Sequence, residues 1–252
     1  AFLLAFLLPF GILYLLKLLD SKVHTRDQIE KNISKASFLG EIPFIKDFDA
    51  SLNDPRSIAS EASRVIRSNL NFILPPKDSE TRVITVTSSM KGEGKTFTSY
   101  NLSLSYSLTG KKVLLVGADL RNPQLHSLFG LKKNIKGLTD LIVKKDDLKP
   151  SGAIRKLNPQ GQSLDVLFSG AIPPNPAELL DGDGFSDVLN SLKSSYDIII
   201  IDSAPLLPVS DTLGVLKHSD SVIFTLFAHK TDQSLTKFIS STIEEKNINK
   251  PC

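Results

Sequence analysis

The alternation of apolar and polar positions divides the chain into an apolar N-terminal run and a longer series of strands and helices. Continuously apolar segments rich in β-branched residues predict strands, at 82–87, 112–116, 164–168, 197–201 and 221–227. Apolar residues at helical spacing predict helices between them, at about 57–73, 95–109, 137–143, 176–195 and 232–247. This alternation predicts an α/β fold whose mostly parallel sheet is covered by helices on both faces.

The first nineteen residues form a run long enough for a membrane span. Residues 1–16 carry no charge, and the run continues through Lys17 to Leu19. Nineteen helical residues rise about 28 Å, the thickness of the bilayer core, so we expect a transmembrane helix at 1–19. The charges follow the run rather than precede it, which argues against a signal peptide and places the rest of the chain in the cytoplasm; they are Lys17, Lys22, Arg26 and Lys31.

The downstream sequence predicts a polar juxtamembrane linker at 20–50, with a short strand at 39–42, and one main domain at 51–252. The composition, 41% apolar and 23% charged, is that of a globular protein. The net charge of +3 is too small to indicate a nucleic-acid partner. Because the chain does not begin with methionine, we expect it to be a fragment of a longer protein.

A glycine-rich segment between the first predicted strand and its helix fits a P-loop. The segment runs from Ser89 to Thr96, with Ser89 where the Walker A pattern has its first glycine. Tight glycine turns point backbone N–H groups at phosphate oxygens, and the helix N-terminus adds its positive dipole end. Lys95 is expected to reach the β- and γ-phosphates of ATP, and the Thr96 hydroxyl to join the Mg²⁺ shell. The remaining phosphate-binding positions are Met90, Lys91, Gly92, Glu93 and Gly94.

Two carboxylates at strand ends complete this predicted site. The strand at 198–201 is followed by Asp202, a Walker B pattern, and the strand at 113–116 leads to Asp119. Ligands of α/β sheets bind at the carboxyl ends of the strands, where aspartates hold Mg²⁺ directly or through water. We therefore assign Thr96, Asp119 and Asp202 to the metal, and Lys95, Asp119 and Asp202 to catalysis. For Arg121, pairing with Asp119, pairing with phosphate and a surface salt bridge all remain open.

Together, these motifs resemble those of the bacterial tyrosine autokinases of the polysaccharide co-polymerase type, the Wzc-like BY-kinases. The family's Glu-x-x-Arg-x-x-Arg helix is matched by Glu61, Arg64 and Arg67. Its Walker A, A′ and B motifs are matched by 89–96, 113–121 and 198–202, and its terminal membrane helix by 1–19.

The resemblance implies a P-loop NTPase fold of the deviant-Walker type and ATP-dependent phosphorylation of tyrosines. It also implies control of capsule or exopolysaccharide polymerisation and export at the bacterial inner membrane, with a cytoplasmic kinase domain. The partners implied are further copies of the chain, the polysaccharide machinery and a cognate tyrosine phosphatase. The copies would form a ring through Glu61, Arg64 and Arg67, although by spacing alone these residues fit a solvated helix face.

Two departures from the family pattern leave alternatives open. The family's first Walker A′ aspartate is replaced by Gly117, and the tyrosine-rich C-terminal tail is missing, so we expect a C-terminal truncation. The four tyrosines present are expected to be packing residues. The alternatives are an ATP-binding regulator that phosphorylates nothing and a partitioning-type P-loop ATPase. Met90 stands where the partitioning ATPases carry a signature lysine, which argues against the latter.

Overall fold

A six-stranded sheet organises the chain. The computed structural model describes residues 2–45, 54–74, 80–132, 135–143, 149–207, 211–248 and 251–252. The strands are β1 (Arg82–Ser88), β2 (Val113–Gly117), β3 (Ile154–Leu157), β4 (Leu164–Leu167), β5 (Ile198–Asp202) and β6 (Ser221–Thr225). Their order is β3-β4-β2-β5-β1-β6, and every pairing is parallel except β3 with β4. The predicted α/β fold with a mostly parallel sheet is therefore confirmed.

Helices cover both faces of this sheet. The α-helices of the described residues are α1 (Phe2–Leu19), α2 (Arg26–Asn32), α3 (Ile58–Ile73), α4 (Lys95–Ser107), α5 (Leu138–Val143), α6 (Pro176–Asp181), α7 (Asp183–Lys193), α8 (Asp211–Leu216) and α9 (Gln233–Glu245). Successive residues of a strand point to opposite faces. Ile198 and Ile200 accordingly pack with α3 and α4, whereas Ile199 and Ile201 pack with α5 to α8. Burial on both faces explains why these strands are apolar throughout.

The structure corrects three predicted elements. The segment 39–42 is not a strand, because it lies against α3, where Asn69 donates to the Leu39 carbonyl at 2.8 Å. The helix predicted at 176–195 is two helices divided at Gly182, and β3 lies between the helix predicted at 137–143 and the strand predicted at 164–168, where no strand was predicted. Helices α2 and α8 were not predicted. The boundary expected at residues 50 and 51 lies outside the described residues.

The N-terminal run is helical, as predicted, but its transmembrane character is not shown. Its apolar side chains, where described, are exposed, from Ile12 at 50% to Leu19 at 71%. Within the described ranges, no helix reaches the combination of length and apolar character that crossing a bilayer requires.

Candidate nucleotide-binding site

The P-loop connects β1 to α4 and has the backbone that a phosphate cradle requires. Gly92 and Gly94 adopt φ angles of +85° and +87°, which side-chain-bearing residues rarely tolerate. Gly94 immediately precedes α4, so Lys95 is the first helical residue, and its side chain is largely buried. Met90 and Lys91, by contrast, are exposed. The loop thus presents backbone N–H groups and a helix N-terminus at one edge of the sheet.

Glu93 has a structural role that the motif did not predict. Its buried carboxylate accepts hydrogen bonds from the Ser89 hydroxyl at 2.9 and 2.8 Å and from the Met90 N–H at 2.8 Å. The Thr231 hydroxyl, from the turn after β6, donates to it as well. Ser89, which replaces a motif glycine, therefore has a specific partner inside the loop. Since the motif leaves position 93 unspecified, only the three-dimensional contacts could identify this function.

The two predicted carboxylates meet beside the P-loop. Strand β5 lies between β1 and β2, and Asp202 at its end is in register with Val86 and Gly117. The Ala118 N–H donates to the Asp202 carbonyl at 2.8 Å, which fixes the chain that leads to Asp119. The structure therefore brings Lys95, Thr96, Asp119 and Asp202 together at one edge, as the strand-end reasoning predicted.

Asp202 lies in the most buried and most charged part of the site. Burial raises its pKa from the ordinary 3.8 to about 7, although the nearby Lys95 charge and hydrogen bonds from Thr96 and Ser99 lower it. Among the buried side-chain polar atoms described, Asp202 Oδ1 alone lacks a hydrogen-bond partner. A buried oxygen without a donor costs free energy unless something else satisfies it.

Asp119 is less deeply buried and faces the same lysine. Burial raises its pKa, whereas the Asn122 N–H, which donates to Oδ1 at 2.9 Å, and the Lys95 charge lower it. The carboxylates of Asp119 and Asp202, one of whose oxygens lacks a partner, and the Thr96 hydroxyl form an oxygen-rich set suited to Mg²⁺. The residues present therefore fit the predicted metal.

Arg121 does not pair with Asp119. Its Nε donates to Asp211 Oδ2 at 2.6 Å and a terminal nitrogen donates to Asp211 Oδ1 at 3.0 Å. The pairing with Asp119 considered from sequence is therefore wrong, whereas pairing with phosphate stays a prediction; Asp211 had no part in that reasoning. Asp211 lies 90 residues along the chain from Arg121, so no local motif could connect them.

The limited space beside Gly117 accounts for a glycine at this position. A Cβ atom on Gly117 would lie 2.9 Å from Ser169 Oγ and 3.3 Å from both the Ser169 nitrogen and Leu125 Cδ2. Contacts this short require neighbouring atoms to move. Ser169 therefore fills the space into which a side chain at position 117 would extend.

The proposed interface residues on α3 make contacts within the chain. Glu61 and Arg64 form an ion pair, and Arg64 also donates to the Pro55 carbonyl at 3.0 Å. Arg67 donates to the Ser105 carbonyl, so it joins α3 to α4. The Glu61 side chain is 57% exposed, and that of Arg64 is 33% exposed.

The tyrosine side chains in the domain are packed. Burial raises the pKa of both Tyr100 and Tyr106 to about 12, and each is 3% exposed. Tyr196 donates to Asp165 at 2.7 Å, and its pKa is also raised by burial. These three residues therefore have the packing roles expected from the sequence.

A glycine loop between a buried strand and a helix, with acidic residues at two adjacent strand ends, defines a P-loop nucleotide-binding domain. Residues 81–250 match the family model described as "AAA domain". The tyrosine-protein kinase YwqD of Bacillus subtilis is 36% identical over 182 residues, which cover 72% of this chain and 74% of that protein. The chain belongs to the family of bacterial tyrosine-protein kinases, as the motifs predicted.

Two further relatives agree with this membership. The tyrosine-protein kinase wzc of Salmonella typhimurium is 30% identical over 206 residues, 78% of this chain but only 27% of that protein. The solved kinase domain of the Escherichia coli tyrosine kinase ETK superposes with a TM-score of 0.80 at 26% identity, covering 91% of this chain and 93% of that domain. The kinase prediction is thus favoured over a partitioning-type ATPase.

Proposed function

We propose that this domain transfers the γ-phosphoryl group of ATP to tyrosine hydroxyls, including those of neighbouring copies of its own protein. The observation that carries the proposal is the convergence of Lys95, Asp119 and Asp202 beside a glycine loop of positive φ. Family membership supports the choice of tyrosine as the acceptor.

Each residue has a chemical part in the proposed reaction. Lys95 and the backbone N–H groups of 90–96 would hold the phosphates, and Thr96, Asp119 and Asp202 would hold Mg²⁺. When bound, Mg²⁺ neutralises charge on the phosphate oxygens. Asp119 orients the tyrosine hydroxyl and accepts its proton as the tyrosine oxygen bonds to the γ-phosphorus and the bond from that phosphorus to the leaving ADP breaks. Its raised pKa supports this part, because a carboxylate is a better base when its pKa is nearer the working pH.

Phosphotyrosine formation tests the proposal directly. The full chain is incubated with Mg²⁺ and ATP in the presence of a tyrosine-containing acidic copolymer, and phosphotyrosine is quantified on both. Wild type should label the copolymer, and Lys95→Met should lose the labelling while keeping the wild-type circular dichroism spectrum. Equal signals from the two proteins would refute the proposal.

A second candidate, an ATP-binding regulator without transferase activity, is favoured by Gly117 alone. The two candidates differ in a single measurement on the same protein. Calorimetric binding of Mg²⁺·ATP with no phosphotyrosine at any enzyme concentration would support the regulator. Wild-type phosphotyrosine that disappears in Asp119→Ala would exclude it.

The proposed setting is the cytoplasmic side of the bacterial inner membrane, with residues 1–19 as the transmembrane helix, 20–50 as linker and 51–252 as the kinase domain. Exposed apolar side chains along α1 and the basic residues after it support this arrangement. The test is flotation with anionic lipid vesicles, in which wild type should float and a variant with Leu13→Glu and Leu16→Glu should not. Equal flotation would contradict the anchor.

The proposed partners follow from the family resemblance. They are a homo-oligomeric ring formed through the helix of Glu61, Arg64 and Arg67, the polysaccharide polymerisation and export machinery, and a cognate tyrosine phosphatase. Because Arg67 already binds α4, Glu61 and Arg64 are the better candidates for contacts between copies. Light scattering of Arg64→Ala should show a smaller assembly than wild type if the ring uses this surface.

A further inference from the structure

An ion pair with a buried carboxylate joins the loop that carries Asp119 to helix α8. The Asp211 side chain is 1% exposed, and its two oxygens accept the bidentate pair of hydrogen bonds from Arg121. Paired, parallel N–H···O bonds fix the relative orientation of both groups as well as their distance. The other side of the pair is open, since the Arg121 side chain is 48% exposed.

On one side, this pair anchors the turn around Asp119. Asn122 donates its N–H to Asp119 Oδ1 at 2.9 Å, and the Arg121 N–H also donates to the Asp119 carboxylate. The buried Leu120 fixes the turn from within the core. The Arg121 guanidinium connects this turn to α8 through its hydrogen bonds to Asp211.

On the other side, α8 is tied to the segment that follows Asp202. Thr212, next to Asp211, donates its hydroxyl to the Ala204 carbonyl at 2.7 Å. Further along this segment, the Leu206 N–H donates to the Ser88 carbonyl at 2.8 Å, at the start of the P-loop. Asp211 therefore lies in a chain of contacts that connects both predicted metal carboxylates and the P-loop.

We infer that Asp211 is a positioning residue for phosphoryl transfer. It holds Arg121 and, through that side chain, sets the place of the Asp119 carboxylate relative to Asp202. The kinetic part of this inference rests on the proposed function, whereas its binding part does not. A carboxylate displaced by about 1 Å can cost about 100-fold in rate, so the pair affects the reaction without touching substrate.

The test compares Asp211→Asn with a control at an exposed ion pair on a neighbouring surface. The control is Asp181→Asn, which removes the carboxylate that pairs with Lys217, where both side chains are more than half exposed. For Asp211→Asn we expect kcat to fall about 10- to 100-fold, as for groups that orient metal ligands. The KM for ATP should rise no more than the Mg²⁺-dependent loss of nucleotide affinity, because Lys95 and the P-loop keep the rest of the binding. The control should match wild type.

A binding measurement separates positioning from general damage. Calorimetry of ADP binding is performed with Mg²⁺ and with EDTA. Asp211→Asn should lose about 10-fold or more of the affinity that Mg²⁺ adds, as expected for a misplaced metal ligand, while ADP affinity in EDTA stays at the wild-type value. Equal losses under both conditions, or an unchanged kcat and Mg²⁺ effect, would overturn the inference.

One further variant keeps the test decisive. Arg121→Lys retains the charge but not the planar fork, so it should show the same loss of the Mg²⁺ effect with near-normal stability. If Asp211→Asn does not fold, this variant decides the question, and wild-type behaviour of Arg121→Lys refutes the inference. If wild type itself forms no phosphotyrosine, the proposed function fails, and the calorimetric comparison still tests the positioning.

Discussion

Replacing Asp202 by asparagine should stabilise the nucleotide-free protein at alkaline pH while removing Mg²⁺-dependent nucleotide binding. The wild-type carboxyl is fully buried, with a pKa of about 7 instead of 3.8. Because the folded protein holds this proton more tightly than the unfolded chain does, the group favours folding most below pH 3.8. That contribution declines as the pH rises through about 7.

The magnitude follows from the two pKa values. Their difference of about 3 corresponds to about 4 kcal/mol of stability lost by pH 8, because each pKa unit is worth about 1.36 kcal/mol. Asparagine avoids that loss, but it places an amide group where Oδ1 has no partner, which costs about 1–3 kcal/mol. This second cost does not vary with pH. The stability of Asp202→Asn relative to wild type should therefore rise by about 3 kcal/mol from pH 5 to pH 8.

Urea unfolding in EDTA at a series of pH values measures this difference. Glu245→Gln, at the exposed end of α9, controls for the loss of a carboxylate without burial. A difference between Asp202→Asn and wild type that stays constant from pH 5 to 8 would refute the reasoning. So would an Asp202→Asn variant that still binds ADP more tightly with Mg²⁺ than with EDTA.

Substitutions of glycines give the remaining predictions. Gly117→Ala should lower the free energy of unfolding by about 1–3 kcal/mol through its contact with Ser169. Adding Ser169→Gly to the same chain should restore part of that loss. Thermal denaturation of the single and double variants measures the effect, and additive losses would contradict the prediction. Gly92→Ala and Gly110→Ala both place a side chain at positive φ, costing about 1–2 kcal/mol each. Only Gly92→Ala should also weaken ADP binding in calorimetry, and equal affinities for the two variants would count against the role of the P-loop backbone.

Sequence patterns predicted the central strands well because burial on both faces leaves a strong signal. The run of four isoleucines in β5 is such a case. Strand β3 was missed because it is an antiparallel edge strand with exposed Arg155 and Lys156 at its centre. Helix α8 was missed because it is short and contains Gly214, whose lack of a side chain lets it approach the α6 backbone. Tertiary packing, rather than local propensity, determines these two elements.

The candidate site likewise contains residues that could be predicted from sequence and contacts that could not. Lys95, Thr96, Asp119 and Asp202 could be predicted because strand-end position and motif spacing place them at one edge. The carboxylate contacts of Glu93 and the contact of Asp211 with Arg121 could not, since each includes a partner far along the chain. Their partners, Thr231 and Arg121, lie 138 and 90 residues away respectively.

The glycine at position 117 has a consistent electrostatic interpretation. Burial already raises the pKa of Asp119 and Asp202, and the Asp119 charge raises that of Asp202 further, whereas the Lys95 charge lowers both. A third carboxylate at the end of β2 would add like charge to this poorly solvated edge, where such repulsion is strong. Ser169 instead fills the space with a neutral hydroxyl. The site therefore keeps two carboxylates, a number that a single divalent ion can balance, and in the proposed reaction Asp119 combines the metal-binding and tyrosine-orienting parts.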